Sequence, residues 1–217
     1  MDTKHFAVIL SGCGVLDGAE IHEATILMLA IKKAGHKWYA FAPDQYQADA
    51  VNHCTGEAMP ESRNVMVESA RIARQNIEPL DSLAPESFDA IILPGGFGVA
   101  KNLCSYAREG ENFSLIPALK TVLDKARELG KPVGATCIAP ILLPKIYAGC
   151  RITLGNECQA SEDAVKNGAV HQTCTHGETV VDERYKLVTT PAYMLDADIA
   201  QVAQGIENMV AEILKLV

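Results

Sequence analysis

The sequence predicts an α/β protein, a sandwich of helices on a mostly parallel sheet. Three observations carry this reading. Short, continuous apolar runs alternate with amphipathic stretches along the chain, as expected for parallel strands buried on both faces and helices packed over them. Three of those runs end in unusual turns: Ser11-Gly12-Cys13-Gly14, Pro94-Gly95-Gly96-Phe97-Gly98, and Cys137. No repeat, low-complexity stretch or linker interrupts the 217 residues, so 1–217 reads as a single domain.

The elements follow in order. Residues 6–10 are wholly apolar and form the first strand. A helix over 20–34 comes next, stopped by Gly35. Residues 37–42 make a second strand, closed by Pro43-Asp44, and 45–60 is polar and irregular. A helix over 61–75 buries Val65, Ile72 and several alanines. The third strand is 89–93. A short helix spans 99–106 and a longer one 115–129, ended by Gly130. Residues 131–136 are a strand that runs into Cys137 and a helix over 138–147. A short strand, 151–154, and a small helix, 160–166, come before a hairpin of 179–181 with 186–189. The last helix is 198–216, with Ile199, Val202, Ile206, Met209, Val210 and Ile213 at helical spacing.

Composition narrows the function. Hydrophobic residues are 48% and charged residues 21%, which is globular and not disordered. Nineteen basic residues against 27 acidic ones give a formal charge of −8. Such a surface repels phosphate backbones, so no nucleic-acid partner is expected. No apolar stretch has the roughly 18 residues of a membrane span. The seven cysteines are odd in number, scattered and without a C-x-x-C. With a start, MDTKHFAVIL, that is neither a secretory nor a transit signal, they suggest free thiols in a reducing cytoplasm.

In open parallel sheets, ligands sit beyond the carboxyl ends of the strands. That is where the three turns fall. Gly134-Ala135-Thr136-Cys137-Ile138-Ala139-Pro140 passes from strand to helix with almost no loop. A residue at such a corner projects over the sheet edge, and a helix N-terminus favours thiolate. Cys137 is therefore the candidate nucleophile. The amides of Gly95, Gly96 and Ile138 are candidate donors to an oxyanion. Glu20 and Glu23, three apart on one helix face, are candidate proton carriers. Cys13 is a possible resolving thiol, or a small residue in a tight turn. Lys101 and Asn102 could bind a substrate oxygen or only the loop. His22 reads as a surface or loop-packing residue. Arg63, Arg71 and Arg74 read as a solvated face or subunit contact.

Five segments carry a resemblance: ILSGCGVLDGAEIHEA (9–24), NHCTGEAMPESRNV (52–65), ILPGGFGVAKNL (92–103), GATCIAPILLPKI (134–146) and VTTPAYML (188–195). Together they resemble the PfpI-type, class I glutamine-amidotransferase-like superfamily, and within it the ElbB family of isoprenoid-biosynthesis or glyoxalase proteins. The resemblance implies a flavodoxin-like three-layer sandwich with a nucleophile elbow, usually a homodimer. It implies that Cys137 is the nucleophile and that Glu23, rather than Glu20, is its acidic partner. It also implies a cofactor-free, metal-free glyoxalase acting on a small 2-oxoaldehyde, converting glyoxal to glycolate, or a related deglycase. Many relatives carry a histidine about 20 residues after the cysteine. Here that stretch is Gly155-Asn156-Glu157, so a full triad is not carried over. The alternative is a non-catalytic, redox-responsive or partner-binding thiol protein linked to isoprenoid metabolism.

Other patterns are weaker. His176-Gly177-Glu178 mimics the H-x-E of amidotransferases but precedes the hairpin instead of following a late strand. His171, Cys174 and His176 have three donors for zinc and no fourth nearby.

Overall fold

The computed structural model describes residues 2–217. From the amino end, β1 (His5–Ile9) leads through the first glycine turn to α1 (Ile21–Lys33) and β2 (Lys37–Ala42). A small excursion holds β3 (Ala50–Val51) and β4 (Ala58–Met59), paired antiparallel, before α2 (Val65–Ala73) and β5 (Ile77–Pro79). The middle of the chain supplies β6 (Ala90–Leu93), α3 (Tyr106–Glu109), α4 (Pro117–Glu128) and β7 (Val133–Thr136). Last come β8 (Arg151–Ile152), α5 (Gln159–Lys166), β9 (Val170–His171), β10 (Val180–Asp182), β11 (Leu187–Thr190) and α6 (Ile199–Leu216).

Seven strands form the main sheet in the order β10-β11-β7-β6-β1-β2-β5. All neighbours are parallel except the hairpin β10–β11. Side-chain alternation divides the strands between two cores. Phe6, Val8, Ala90 and Ile92 face one side, with Leu27, Ile31, Ile206, Met209 and Ile213 of α1 and α6. Ala7, Ile9, Ile91, Leu93, Val133 and Ala135 face the other, with Leu119, Val122 and Leu123 of α4 and residues 139–147. The result is a three-layer flavodoxin-like sandwich.

Several elements differ from the sequence reading. The expected helix over 138–147 is a seven-residue 3-10 segment, Ala139–Lys145. Pro140 and Pro144 lie in it. Pro140 lies in the first turn, where no i→i−4 bond is lost, but Pro144 has no amide proton to bond back to residue 140, so the α-helical ladder breaks there. The expected helix over 99–106 is a π-turn, Val99–Leu103, which breaks at an extended Cys104 before α3 begins. α2 starts at Val65, where the Asn64 side chain accepts the Val67 amide, so Arg63 lies outside the helix. The sequence pattern does not mark β5. It is only three residues long and ends in Pro79, which an edge strand tolerates.

Candidate active site

The carboxyl ends of β1, β6 and β7 bring the three turns together. Cys137 follows β7 in a left-handed conformation, φ +57°. Few non-glycine residues sit there without cost. Its amide donates to the Thr190 carbonyl at 3.1 Å, which ties the corner to the end of β11. Cys137 as a whole is 8% exposed.

Glu23 approaches from the first turn of α1 and is fully buried. Glu20 is the N-cap of that helix: its Oε2 accepts the Glu23 amide at 2.7 Å. Glu23 Oε2 accepts the Gly95 amide at 2.9 Å and the Thr136 hydroxyl. Its Oε1 is buried with no N–H or O–H donor. The Cys137 thiol lies beside this carboxyl, and each group shifts the other's protonation. Gly95 makes the meeting possible. A Cβ there would lie 2.3 Å from Cys137 Cβ, 2.8 Å from Glu23 Oε2 and 3.0 Å from Cys137 Sγ.

Electrostatics reverse one expectation. Burial raises the Glu23 carboxyl to about 7 against the Thr136 and Gly95 hydrogen bonds that pull it down. Burial, and then the Glu23 charge, push the Cys137 thiol well above its ordinary value, while the Gly96 and Ile138 amides favour the thiolate. Burial and the acid beside it thus favour the thiol form, against the thiolate that a helix N-terminus would favour. The segment after it is too short and too irregular to contribute a full helix dipole, and desolvation outweighs the two amides.

The candidate residues sort as follows. Cys137 and Glu23 meet, and the amides of Gly96 and Ile138 face the sulfur. The Gly95 amide does not join them. It is held by Glu23 Oε2 and, at 3.0 Å, by Thr136 Oγ1, so it positions the acid instead of a substrate oxygen. Asn102 is 2% exposed and also leaves the substrate role. Its Nδ2 donates to the Ser11 and Asp17 carbonyls and its Oδ1 accepts the Ala48 amide. Lys101 Nζ likewise holds the Leu16 carbonyl and Asp49. Asn102→Ala is expected to cost about 2–4 kcal/mol, because backbone groups would be left buried and unpaired. Urea unfolding measures this, and unchanged stability would contradict it.

Cys13 is half-buried among Glu68, Arg71, Asp17 and Arg63, and burial raises its thiol. These are not the groups around Cys137, so the two cysteines stand in separate surroundings. Arg71 pairs with Glu68 and Arg63 with Glu61. His171 Nε2 accepts the Leu154 amide, Cys174 Sγ meets Thr153 Oγ1, and His176 meets the Asp196 carbonyl. The three turn to different partners and do not converge as metal ligands. At the place of the usual histidine, Gly155 has φ +82°, and Leu195 and Pro191 close over it. Asn156 and Glu157 are exposed.

Two neighbours had no part in the sequence reading of the site. Thr136 was only the residue before the cysteine, and its contact with Glu23 lies 113 residues away in the chain. Tyr193, in the 3-10 turn Ala192–Met194, bonds His22 Nδ1 at 2.8 Å and faces the charges of Glu20 and Glu23. The VTTPAYML segment was the available signal for Tyr193.

A mostly parallel α/β sandwich with a cysteine at a strand-to-turn corner and a buried acid beside it defines a class I glutamine-amidotransferase-like protein. The chain belongs to the DJ-1/PfpI family, whose model matches residues 13–196, and within it to the ElbB, isoprenoid-biosynthesis-associated kind. It is similar to the rat "ES1 protein homolog, mitochondrial" (Rattus norvegicus), at 41% identity over 97% of this chain and 83% of that protein. The human "Glutamine amidotransferase-like class 1 domain-containing protein 3, mitochondrial" (Homo sapiens) is 40% identical over 97% and 82%. A crystal structure of an isoprenoid biosynthesis protein with amidotransferase-like domain, from Ehrlichia chaffeensis, matches with TM-score 0.91 and 33% identity, covering 98% of this chain and all of that one. The names of the rat and human relatives overturn the cytoplasmic expectation. Free thiols report a reducing environment, and that alone never separated the cytosol from an organelle with reduced thiols.

Proposed function

We propose that this protein is a cofactor-free enzyme that uses Cys137 and Glu23 on a small 2-oxoaldehyde, with glyoxal to glycolate as the working reaction. The supporting observation is the buried Glu23 carboxyl, raised to about 7 and in contact with the thiol. A base that titrates near neutrality can both take and return a proton. Ionised Glu23 accepts the thiol proton as sulfur adds to one aldehyde carbon, giving a hemithioacetal. The Gly96 and Ile138 amides stabilise the oxygen that gains charge. Glu23 returns that proton to the new oxygen, completing the hemithioacetal, and, ionised again, moves the carbon-bound proton to the neighbouring carbon through an enediol, leaving a glycolyl thioester. Water hydrolyses the thioester, releasing glycolate and the free thiol. A deglycase reaction would begin with the same sulfur addition.

The test follows glycolate from glyoxal with wild type and Cys137→Ala. Steady production by wild type and none by the variant is the expected result. Equal rates, or none from either, would sink the reading.

A second reading is a non-catalytic thiol protein that binds a partner in isoprenoid metabolism. It is favoured by the enclosed, protonated sulfur and by the absence of a histidine at Gly155. The Ehrlichia relative's description as an isoprenoid biosynthesis protein also suits it. The redox version fits less well, since sensor cysteines are exposed and thiolate-like. Preferential oxidation of Cys137 over Cys150 and Cys158 by mild peroxide, read by mass spectrometry, would restore it.

A further inference from the structure

Glu23 has two oxygens with opposite fates. Oε2 takes the Gly95 amide and the Thr136 hydroxyl, while Oε1 takes neither and is sealed from solvent. Thr136 is itself fully buried, and its hydroxyl closes a small ring: it accepts from the Gly95 amide at 3.0 Å and donates to Glu23. A hydroxyl proton that points at a carboxylate oxygen favours negative charge on that oxygen. The acid's own proton then belongs on the other oxygen, the one without a donor. Thr136 is also the residue before Cys137, so one strand end positions both partners of the pair.

We propose that Thr136 is a positioning residue: its hydroxyl pins one carboxyl oxygen of Glu23 and leaves the other to exchange a proton with Cys137. This rests on the Cys137–Glu23 reading and adds the device that orients it. The charged and titratable groups facing Glu23 are Glu20 from the start of α1, Cys137 from the corner after β7, and Tyr193 from the turn before α6. His22 faces Tyr193. Thr136, beside them, is an uncharged side chain whose removal takes a hydrogen bond from the acid without changing any charge.

The test is an infrared titration of the buried carboxyl on the full-length protein, identified as the band lost in Glu23→Gln. Thr136→Val is expected to move its midpoint up by about one pH unit, the scale of one hydrogen bond to a charged group. Thr136→Ser should leave it near wild type. If the valine is not tolerated, Thr136→Ala against Thr136→Ser makes the same comparison. An unmoved midpoint on loss of the hydroxyl overturns the proposal, and so does a serine variant that shifts as far as the valine. The two readings fail separately. A midpoint that shifts in a protein making no glycolate sustains the positioning role and removes the glyoxalase. Glycolate formation with an unmoved midpoint does the reverse.

Discussion

Glu23→Gln is expected to stabilise the protein above neutrality while abolishing glycolate formation. The sign follows from the carboxyl's environment. Its proton is lost near 7 in the fold and near 4.5 ordinarily. Below pH 4.5 both folded and unfolded chains keep the proton, and no cost arises. As the pH rises from 4.5 to 7 the unfolded chain ionises first, so the fold loses stability. Above 7 the loss is complete, at about 3 kcal/mol. Glutamine carries no charge at any of these values. Its oxygen can still accept from Gly95 and Thr136, while its amide group turns toward the sulfur, a weak acceptor. Imperfect pairing there trims the gain to about 1–3 kcal/mol at pH 8. For a chain of this length that is several degrees in Tm. Thermal melts at pH 5, 6, 7 and 8 make the comparison. Wild type should lose stability across this range more steeply than the variant. Parallel curves would show that Glu23 is not held protonated by the fold.

The larger structural effect belongs to Gly96→Ala. Gly96 has φ +100°, and a Cβ there would stand 2.4 Å from both the Glu20 nitrogen and the Gly18 oxygen. Both obstacles are backbone, so no side chain can swing aside. The two loops are held together by hydrogen bonds from the Glu20 amide to the Gly95 carbonyl and from the Gly98 amide to the Gly18 carbonyl, each 2.9 Å. Relief means separating them. Overpacking and an unfavourable φ together should cost about 3–5 kcal/mol. Gly130→Ala is the control: φ is +62°, and no atom lies within 4 Å of the added carbon. It should lose about 1 kcal/mol. A Gly96→Ala protein as stable in urea as the Gly130→Ala protein would refute this account of the loop contact.

The frame of the fold could be read from the sequence because its strands are continuous apolar runs and its helices repeat at 3.6 residues. Residues 37–42 were read to the residue, and the last helix to within one position of its start. What escaped was short or proline-bearing. β3 and β4 are two residues each, and their pairing depends on a loop whose path no periodicity records. The break in the helix after Cys137 is signalled in the sequence by Pro144, which no α-helix accommodates in its interior without losing a bond.

For the candidate site, the sequence points to residues more readily than to their roles. A cysteine at a strand end and acids at a helix start are local signals. That Gly95 serves the acid, and that Asn102 is consumed by Ser11, Asp17 and Ala48, depends on contacts between residues far apart in the chain. The charge on the sulfur is hidden from the sequence for the same reason. The helix-terminus argument needs only sequence neighbours, while the desolvation that defeats it comes from the whole fold.

The left-handed backbone at Cys137 has a consequence for how this chain would change under relaxed selection. Glycine adopts φ +57° freely, and asparagine more readily than cysteine. On backbone preference alone, position 137 would favour either over cysteine. A lineage freed from the need for the thiol could therefore admit glycine there with no backbone strain, at the cost of the side chain's packing in the core. Cysteine at this corner is held against the conformational preference of its own backbone.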